Sequence, residues 1–168
     1  MKHSRSDTPA YLIWVEQRPT VKGQGKQVYI KAVRHAASNE IAGPIKTDDI
    51  EVQIVYATNN KRGERMDADN VIKPTLDALK GIAYNDDCQV RSVDCVVFDK
   101  NRASTVNGRV EHIGRLFYSC KPHVVLLMIY SDTRLAELGG EHEVQRRRYI
   151  EWEKNFDEML SQIKRPST

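Results

Sequence analysis

The stretch MDADNVIKPTLDALKGIAYNDDCQV, residues 66–90, holds five aspartates in a particular order. Asp67 and Asp69 stand two apart, Asn70 follows at once, and Lys73 comes four residues after Asp69. Ile72, Leu76, Leu79 and Ala83 then recur at helical spacing, which predicts a helix over residues 71–83 with one buried face. Asn70 is its candidate N-cap. Pro74 fits that helix only in the first turn, where a missing N–H costs little. Gly81 weakens its end. Asn85-Asp86-Asp87 reads as a turn, and residues 88–99 read as a strand.

Upstream, residues 50–57 (IEVQIVYA) alternate with period two, as a half-buried strand does. A polar, basic loop over residues 59–65 joins that strand to the aspartates. Residues 10–16 (AYLIWVE) are β-branched and aromatic and predict a strand. Residues 22–26 (KGQGK) read as a flexible basic turn. Residues 27–42 predict a helix on Val28, Ile30, Val33 and Ala37. Downstream, residues 100–120 carry no clear period, though 115–119 (RLFYS) is a candidate strand. Residues 122–131 (PHVVLLMIYS) are apolar on both faces and predict a strand buried within a sheet. From Leu135 the chain reads as helical apart from Gly139-Gly140, with Val144, Ile150, Trp152, Phe156, Leu160 and Ile163 as an apolar stripe. The order β-α-β-α-β-(β)-β-α predicts an α+β fold: a small mixed β-sheet flanked by helices. One domain is expected over residues 1–132, with a C-terminal helical extension over residues 133–168.

A chain of 168 residues is one domain with an appended element. The net charge of +3 permits nucleic-acid binding without arguing for it. The positive excess lies in the first 135 residues, and the last part is slightly acidic. Cys88, Cys95 and Cys120 form no CxxC, and their odd number argues against a disulfide framework or zinc site. They read as small buried apolar residues in a reducing cytoplasm. The N-terminal MKHSRSDTPA has no apolar core, so no signal peptide is expected. The longest apolar run, residues 124–130, is too short to span a membrane.

Two carboxylates placed side by side repel unless a cation lies between them. In an extended Asp-x-Asp both point to one face, because strand side chains alternate. Mg²⁺ suits such oxygens, taking a few carboxylates together with waters and substrate phosphate. A turn and a returning strand would bring Asp86 or Asp87 back beside Asp67 and Asp69 and close a metal site. Lys73, one turn beyond Asp69, would neutralise a phosphate or the charge that develops on it. With metal-activated water, the constellation suits phosphodiester hydrolysis. An EF-hand is excluded, since its fifth position is Val71 and its glycine is missing.

Asp67-x-Asp69-Asn70-x-x-Lys73-x-x-Leu76-Asp77-Ala78-Leu79-x-Gly81, then Tyr84-x-Asp86-Asp87-x-Gln89-Val90, closely resembles the signature of RusA-type Holliday-junction resolvases. The resemblance extends to the element order over residues 10–132. It implies a small, homodimeric, Mg²⁺-dependent endodeoxyribonuclease, of a kind often carried by phages and prophages, that resolves branched DNA in recombination and repair. Mn²⁺ is the alternative metal, and no small-molecule cofactor or membrane is implied. The family's essential acids fall on Asp67, Asp69 and Asp87, its assisting lysine on Lys73, and Asp86 is a contributing metal ligand. Residues 100–121 are longer than the family's usual link, and residues 133–168 extend past its usual end.

Blander readings stand beside these. Asp77 reads as a helix-surface acid pairing with Lys73 or Lys80. Lys61, Arg62 and Arg65, and also Lys22, Lys26, Lys31 and Arg34, are candidate DNA-phosphate contacts or solvated charges. Arg146-Arg147-Arg148 reads as a solvated helix face. The histidines show no ligand spacing, and Tyr84 and Phe98 read as core. A non-catalytic branched-DNA-binding protein of the same fold is the second reading, and the intact acids speak against it. An Asp-x-Asp glycosyltransferase would need a longer chain and a nucleotide-binding half.

Overall fold

The structure, a computed structural model, describes residues 9–20, 22–46, 49–59, 66–99 and 122–131. Its elements are β1 (Tyr11–Val15), α1 (Gly23–Glu40), β2 (Ile50–Thr58), α2 (Ala68–Leu79), a 3-10 turn (Asp87–Gln89), β3 (Val90–Asp99) and β4 (His123–Tyr130). The strands form one sheet in the order β1-β4-β2-β3. β4 is antiparallel to β1 and β2, and β2 is parallel to β3. The fold is α+β with a mixed sheet, as the sequence predicts. The predicted C-terminal helix, the candidate strand over 115–119 and the long link lie outside the described residues.

Alternation turns Ile13 of β1, Ile54 of β2 and Leu127 of β4 to one face, where Tyr29, Val33 and Ala37 of α1 and Val71, Ala78 and Leu79 of α2 cover them. β4 is buried from Val124 to Met128 on both faces, as its unbroken apolar run requires of an interior strand. β2 departs from the predicted alternation. It alternates only to Ile54, and Val55 to Thr58 are all buried, because this half lacks a polar residue that could turn outward before Thr58.

Both helices begin earlier than their patterns predict. α1 starts at Gly23, inside the expected basic turn, and Gly23 itself adopts φ 61°. Two glycines weaken that first turn, but the buried ladder Tyr29–Val33–Ala37 downstream carries the helix. Val28, assigned to the buried face from sequence, is 50% exposed. α2 starts at Ala68, so Asp67 and not Asn70 holds the N-cap position. Pro74 therefore lies in the second turn and is buried. Its ring forfeits the hydrogen bond to the Asn70 carbonyl, a cost that packing against the core offsets. α2 ends at Leu79, four residues before the predicted end, because Gly81 takes the left-handed conformation (φ 81°) just past the cap.

Residues 88 and 89, predicted to begin β3, belong to the 3-10 turn instead. The Asp86 carboxylate accepts from the Cys88 N–H (3.1 Å), and Gln89 Oε1 accepts from the N–H groups of Asn85 (2.9 Å) and Asp86 (3.0 Å). Gln89 Nε2 donates to the Ile45 carbonyl (2.9 Å), which ties this turn to the segment after α1. One buried amide thus satisfies three backbone groups. Gln89→Leu keeps the volume and strips all three partners. With each bared group costing about 1–3 kcal/mol when buried, a loss of roughly 3 kcal/mol is expected in urea unfolding.

Candidate active site

Asp67 and Asp69 lie at the start of α2, not together on an extended strand. Asp67 is the N-cap, with extended backbone (φ −70°, ψ 151°) and no side-chain capping bond, and Asp69 is in the first helical turn. Both are exposed. Acids are favoured here because the amide dipoles leave partial positive charge at a helix N-terminus. Lys73 is exposed one turn further on, at helical i+4 spacing from both Asp69 and Asp77. Asp77 pairs with neither lysine predicted for it. It takes Lys26 of α1 at 3.4 Å, because α1 packs along that side of α2.

The second aspartate pair sits at the other end of the helix. Asp86 caps the 3-10 turn, and hydrogen bonds from the Cys88 N–H and thiol lower its pKa. Asp87 Oδ2 accepts from Lys80 Nζ at 2.8 Å, and Asp87 in turn raises the Lys80 pKa. Asp87 is 71% exposed, so this ion pair is a weak tether that the carboxylate can leave. Cys88 is exposed, contrary to the buried thiol expected from sequence, because the turn is on the surface. Cys95 is partly buried, and Cys120 lies outside the described residues.

The expected convergence of the two pairs does not occur within one chain. Parallel strands place the start of β3 beside the start of β2, with Ile50 opposite Val90. α2 must therefore run back along the sheet, from Asp67 at its N-cap to Lys80 at its C-cap. Twelve residues at about 1.5 Å each make α2 roughly 18 Å long, with Asp67 and Asp69 at its start and Asp87, bonded to Lys80, beyond its end. The electrostatics agree. Burial pushes the Cys95 thiol up to about 11, and the charge of Asp69 adds to that push, whereas Asp87 acts on Lys80 and Tyr84. Cys95 is five residues into a strand that rises about 3.3 Å per residue. Among the described residues, no group of three His, Cys, Asp or Glu side chains could hold a metal ion.

The basic residues divide. Lys22 is exposed at the N-cap of α1, and Lys31 is exposed on its side. Lys26 is engaged by Asp77. Arg34 Nη1 donates to the carbonyls of Ala78 (3.2 Å) and Lys80 (3.3 Å), closing the C-terminal end of α2. Lys61, Arg62, Arg65 and Arg146–Arg148 lie outside the described residues. Tyr84 is core as expected, with its hydroxyl on the Leu76 carbonyl (2.9 Å). His123, given no role from sequence, opens β4 with Nδ1 3.0 Å from the Tyr56 hydroxyl and 3.1 Å from that of Thr58. Only the pairing of β4 with β2 brings these three together, so residue spacing carried no signal of it.

Residues 13–111 match the family model of endodeoxyribonuclease RusA. The chain belongs to the RusA endodeoxyribonuclease family. The matched span contains both aspartate pairs and every described element from α1 to β3. β4 lies past the match yet pairs with both β1 and β2, so the sheet needs residues up to Tyr130. No curated protein matches the chain. Family membership makes the protein a nuclease, of a class that resolves Holliday junctions and generally depends on a divalent metal. Among the described residues, no helix is long and apolar enough to cross a membrane.

Arg34→Ala removes the two bonds that close α2. Since Arg34 is exposed, a loss of about 1 kcal/mol is expected in chemical denaturation.

Proposed function

We propose that the protein is a Mg²⁺-dependent homodimeric resolvase that cuts paired strands of a four-way DNA junction in recombination and repair, acting in the cytoplasm. The observation that carries this reading is the placement of exposed acids at both ends of α2 in a chain of the RusA family. Two acids at one end make half a metal site. A second copy related by a two-fold axis supplies the rest, so that Asp67 and Asp69 of one protomer meet the partner's Asp87. The same operation makes two identical sites, as two symmetric cuts require.

The donor chemistry fits the metal. Carboxylate oxygens are hard ligands suited to Mg²⁺, and Mn²⁺ accepts the same set. When bound, the cation polarises the phosphate and lowers the pKa of an attacking water. The protein's own contribution is positional and electrostatic. Asp67, Asp69 and Asp87 are the ligands, with Asp86 held beside Asp87 by its capping bond. The N-terminus of α2 attracts the scissile phosphate, since its N–H groups have no helical acceptor. Lys73, on the same stripe as Asp69, offsets charge developing on the phosphate oxygens. Lys22, with Lys61, Arg62 and Arg65 before the acids, holds flanking phosphates, and Lys26 joins them on leaving Asp77. The domain ends near residue 132, and residues 133–168 add surface beyond the nuclease.

Mixing two dead variants tests the shared site. Asp69→Asn and Asp87→Asn should each abolish cleavage of a synthetic four-way junction in Mg²⁺ while still shifting it in a gel. A heterodimer of the two places both lesions in one site and leaves the other whole. Nicking should therefore return on mixing and subunit exchange, without paired resolution. Two lesions in self-contained sites would leave the mixture dead, and cutting by either homodimer would refute the assignment.

Lys73→Ala should slow cutting by about 2.7–4 kcal/mol in activation free energy, the scale for losing one such donor, with junction affinity little changed. Equal losses in rate and affinity in single-turnover and gel-shift measurements would make Lys73 a binding contact only.

A further inference from the structure

α1 and α2 are joined by a buried chain of hydroxyls. Thr75 Oγ1 donates to the Val71 carbonyl at 2.7 Å, one turn back in the same helix. The Tyr29 hydroxyl lies 2.7 Å from Thr75 Oγ1. Thr75 has a single hydrogen, already spent on Val71, so Tyr29 is the donor to Thr75. Both side chains are fully buried, and burial pushes the Tyr29 phenol well above its ordinary range, which keeps it a donor.

The location of this chain gives it significance. Pro74 stands inside α2 and cannot donate to the Asn70 carbonyl. The ladder therefore has a gap between Asn70 and Pro74. On the N-terminal side of that gap lie Asp67, Asp69 and Asn70, with Lys73 directly before the proline. The next carbonyl is that of Val71, and the Thr75 side chain places a second hydrogen bond on it. A proline-interrupted helix bends readily unless the neighbouring rungs are fixed. Tyr29 fixes this rung from outside, since it belongs to a helix 46 residues away in sequence.

We propose that Tyr29 and Thr75 are positioning residues for the nuclease: their hydroxyl relay onto the Val71 carbonyl clamps the proline gap of α2 and sets the direction of the turn bearing Asp67, Asp69 and Lys73. This rests on the functional reading above. Neither residue touches the metal or the DNA; each acts through the backbone of α2. The core alone would hold α2 against the sheet, through Val71, Ala78 and Leu79. The relay adds a directional constraint that apolar packing does not supply.

The test uses the full-length protein and a four-way junction. Thr75→Val removes the hydroxyl and keeps the shape; Tyr29→Phe removes the other end of the relay; Thr75→Ser restores the bond without the methyl group. The expected result is a kcat lowered at least about tenfold, and by up to about 100-fold for a displacement near 1 Å, in both Thr75→Val and Tyr29→Phe. KM and gel-shift affinity should stay within about twofold, because neither residue contacts the DNA. The Mg²⁺ concentration giving half-maximal thermal stabilisation should rise in both variants, and Thr75→Ser should return both readouts to the wild-type values. A smaller kcat loss, a parallel rise in KM, or no rescue by Thr75→Ser would overturn the proposal. So would loss of folding in both Thr75→Val and Tyr29→Phe, since the relay would then hold up the domain and not aim one turn. A wild-type protein that leaves the junction uncut would sink the functional reading itself, an outcome distinct from equal cutting by wild type and variants.

Discussion

The parallel pairing of β2 with β3 constrains everything else in this chain. Parallel neighbours cannot be joined by a hairpin, so the chain must travel the length of the sheet between them. α2 makes that journey. Once it does, the residues just before the helix and those just after it are held a helix length apart. Both aspartate pairs of the family signature are at those two positions. Their separation is therefore a consequence of topology, and no side-chain rearrangement within one chain removes it.

A helix that sets the spacing of the candidate acids must be held in place along its axis, and polar contacts do this from its middle to the turn that follows it. Gln89 fastens the turn after α2 to the segment after α1 through the Ile45 carbonyl. Arg34 covers the last carbonyls of α2 from α1. The Tyr29–Thr75 contact joins the two helices near the middle of α2. All three contacts connect α2 or its following turn to α1 or its following segment. Apolar burial decides that these helices lie on the sheet, and the hydrogen bonds decide where along each other they lie, because hydrogen bonds are directional and the hydrophobic effect is not.

Much of the fold was legible because burial leaves a period in sequence. The unbroken run from Val124 to Ile129 announced an interior strand, and the stripe through Leu76 and Leu79 announced α2. Helix starts were not legible. Gly23 and Gly25 read as a turn, and Asn70 read as a better cap than Asp67, because local propensity is weaker than the packing of Tyr29 and Val71 that decides both. The candidate acids were legible as a chemical set, since no ordinary surface needs Asp-x-Asp-Asn-x-x-Lys followed by Asp-Asp. Their arrangement was not. It depends on β3 pairing directly with β2 and in parallel, and the period of a single strand does not name its neighbour. The partners of Asp77 and His123 were hidden for the same reason, as both contacts join segments distant in sequence.

Divided acids also have an energetic logic. Three carboxylates converging in one folded chain repel each other until a cation arrives, and that repulsion would weaken a small domain. Here each pair has its own local compensation. Asp67 and Asp69 sit at the positive end of a helix, Asp86 accepts backbone N–H groups, and Asp87 is held by Lys80. The isolated protomer thus carries its acids at little cost. On the reading proposed above, repulsion appears only when two protomers close a site, where the metal and the phosphate are also present to relieve it. Cutting is then tied to assembly, because a lone protomer has the fold but not the full ligand set. On that same reading, placing half of each site on each subunit makes the dimer the smallest active unit, which suits a substrate that needs two cuts.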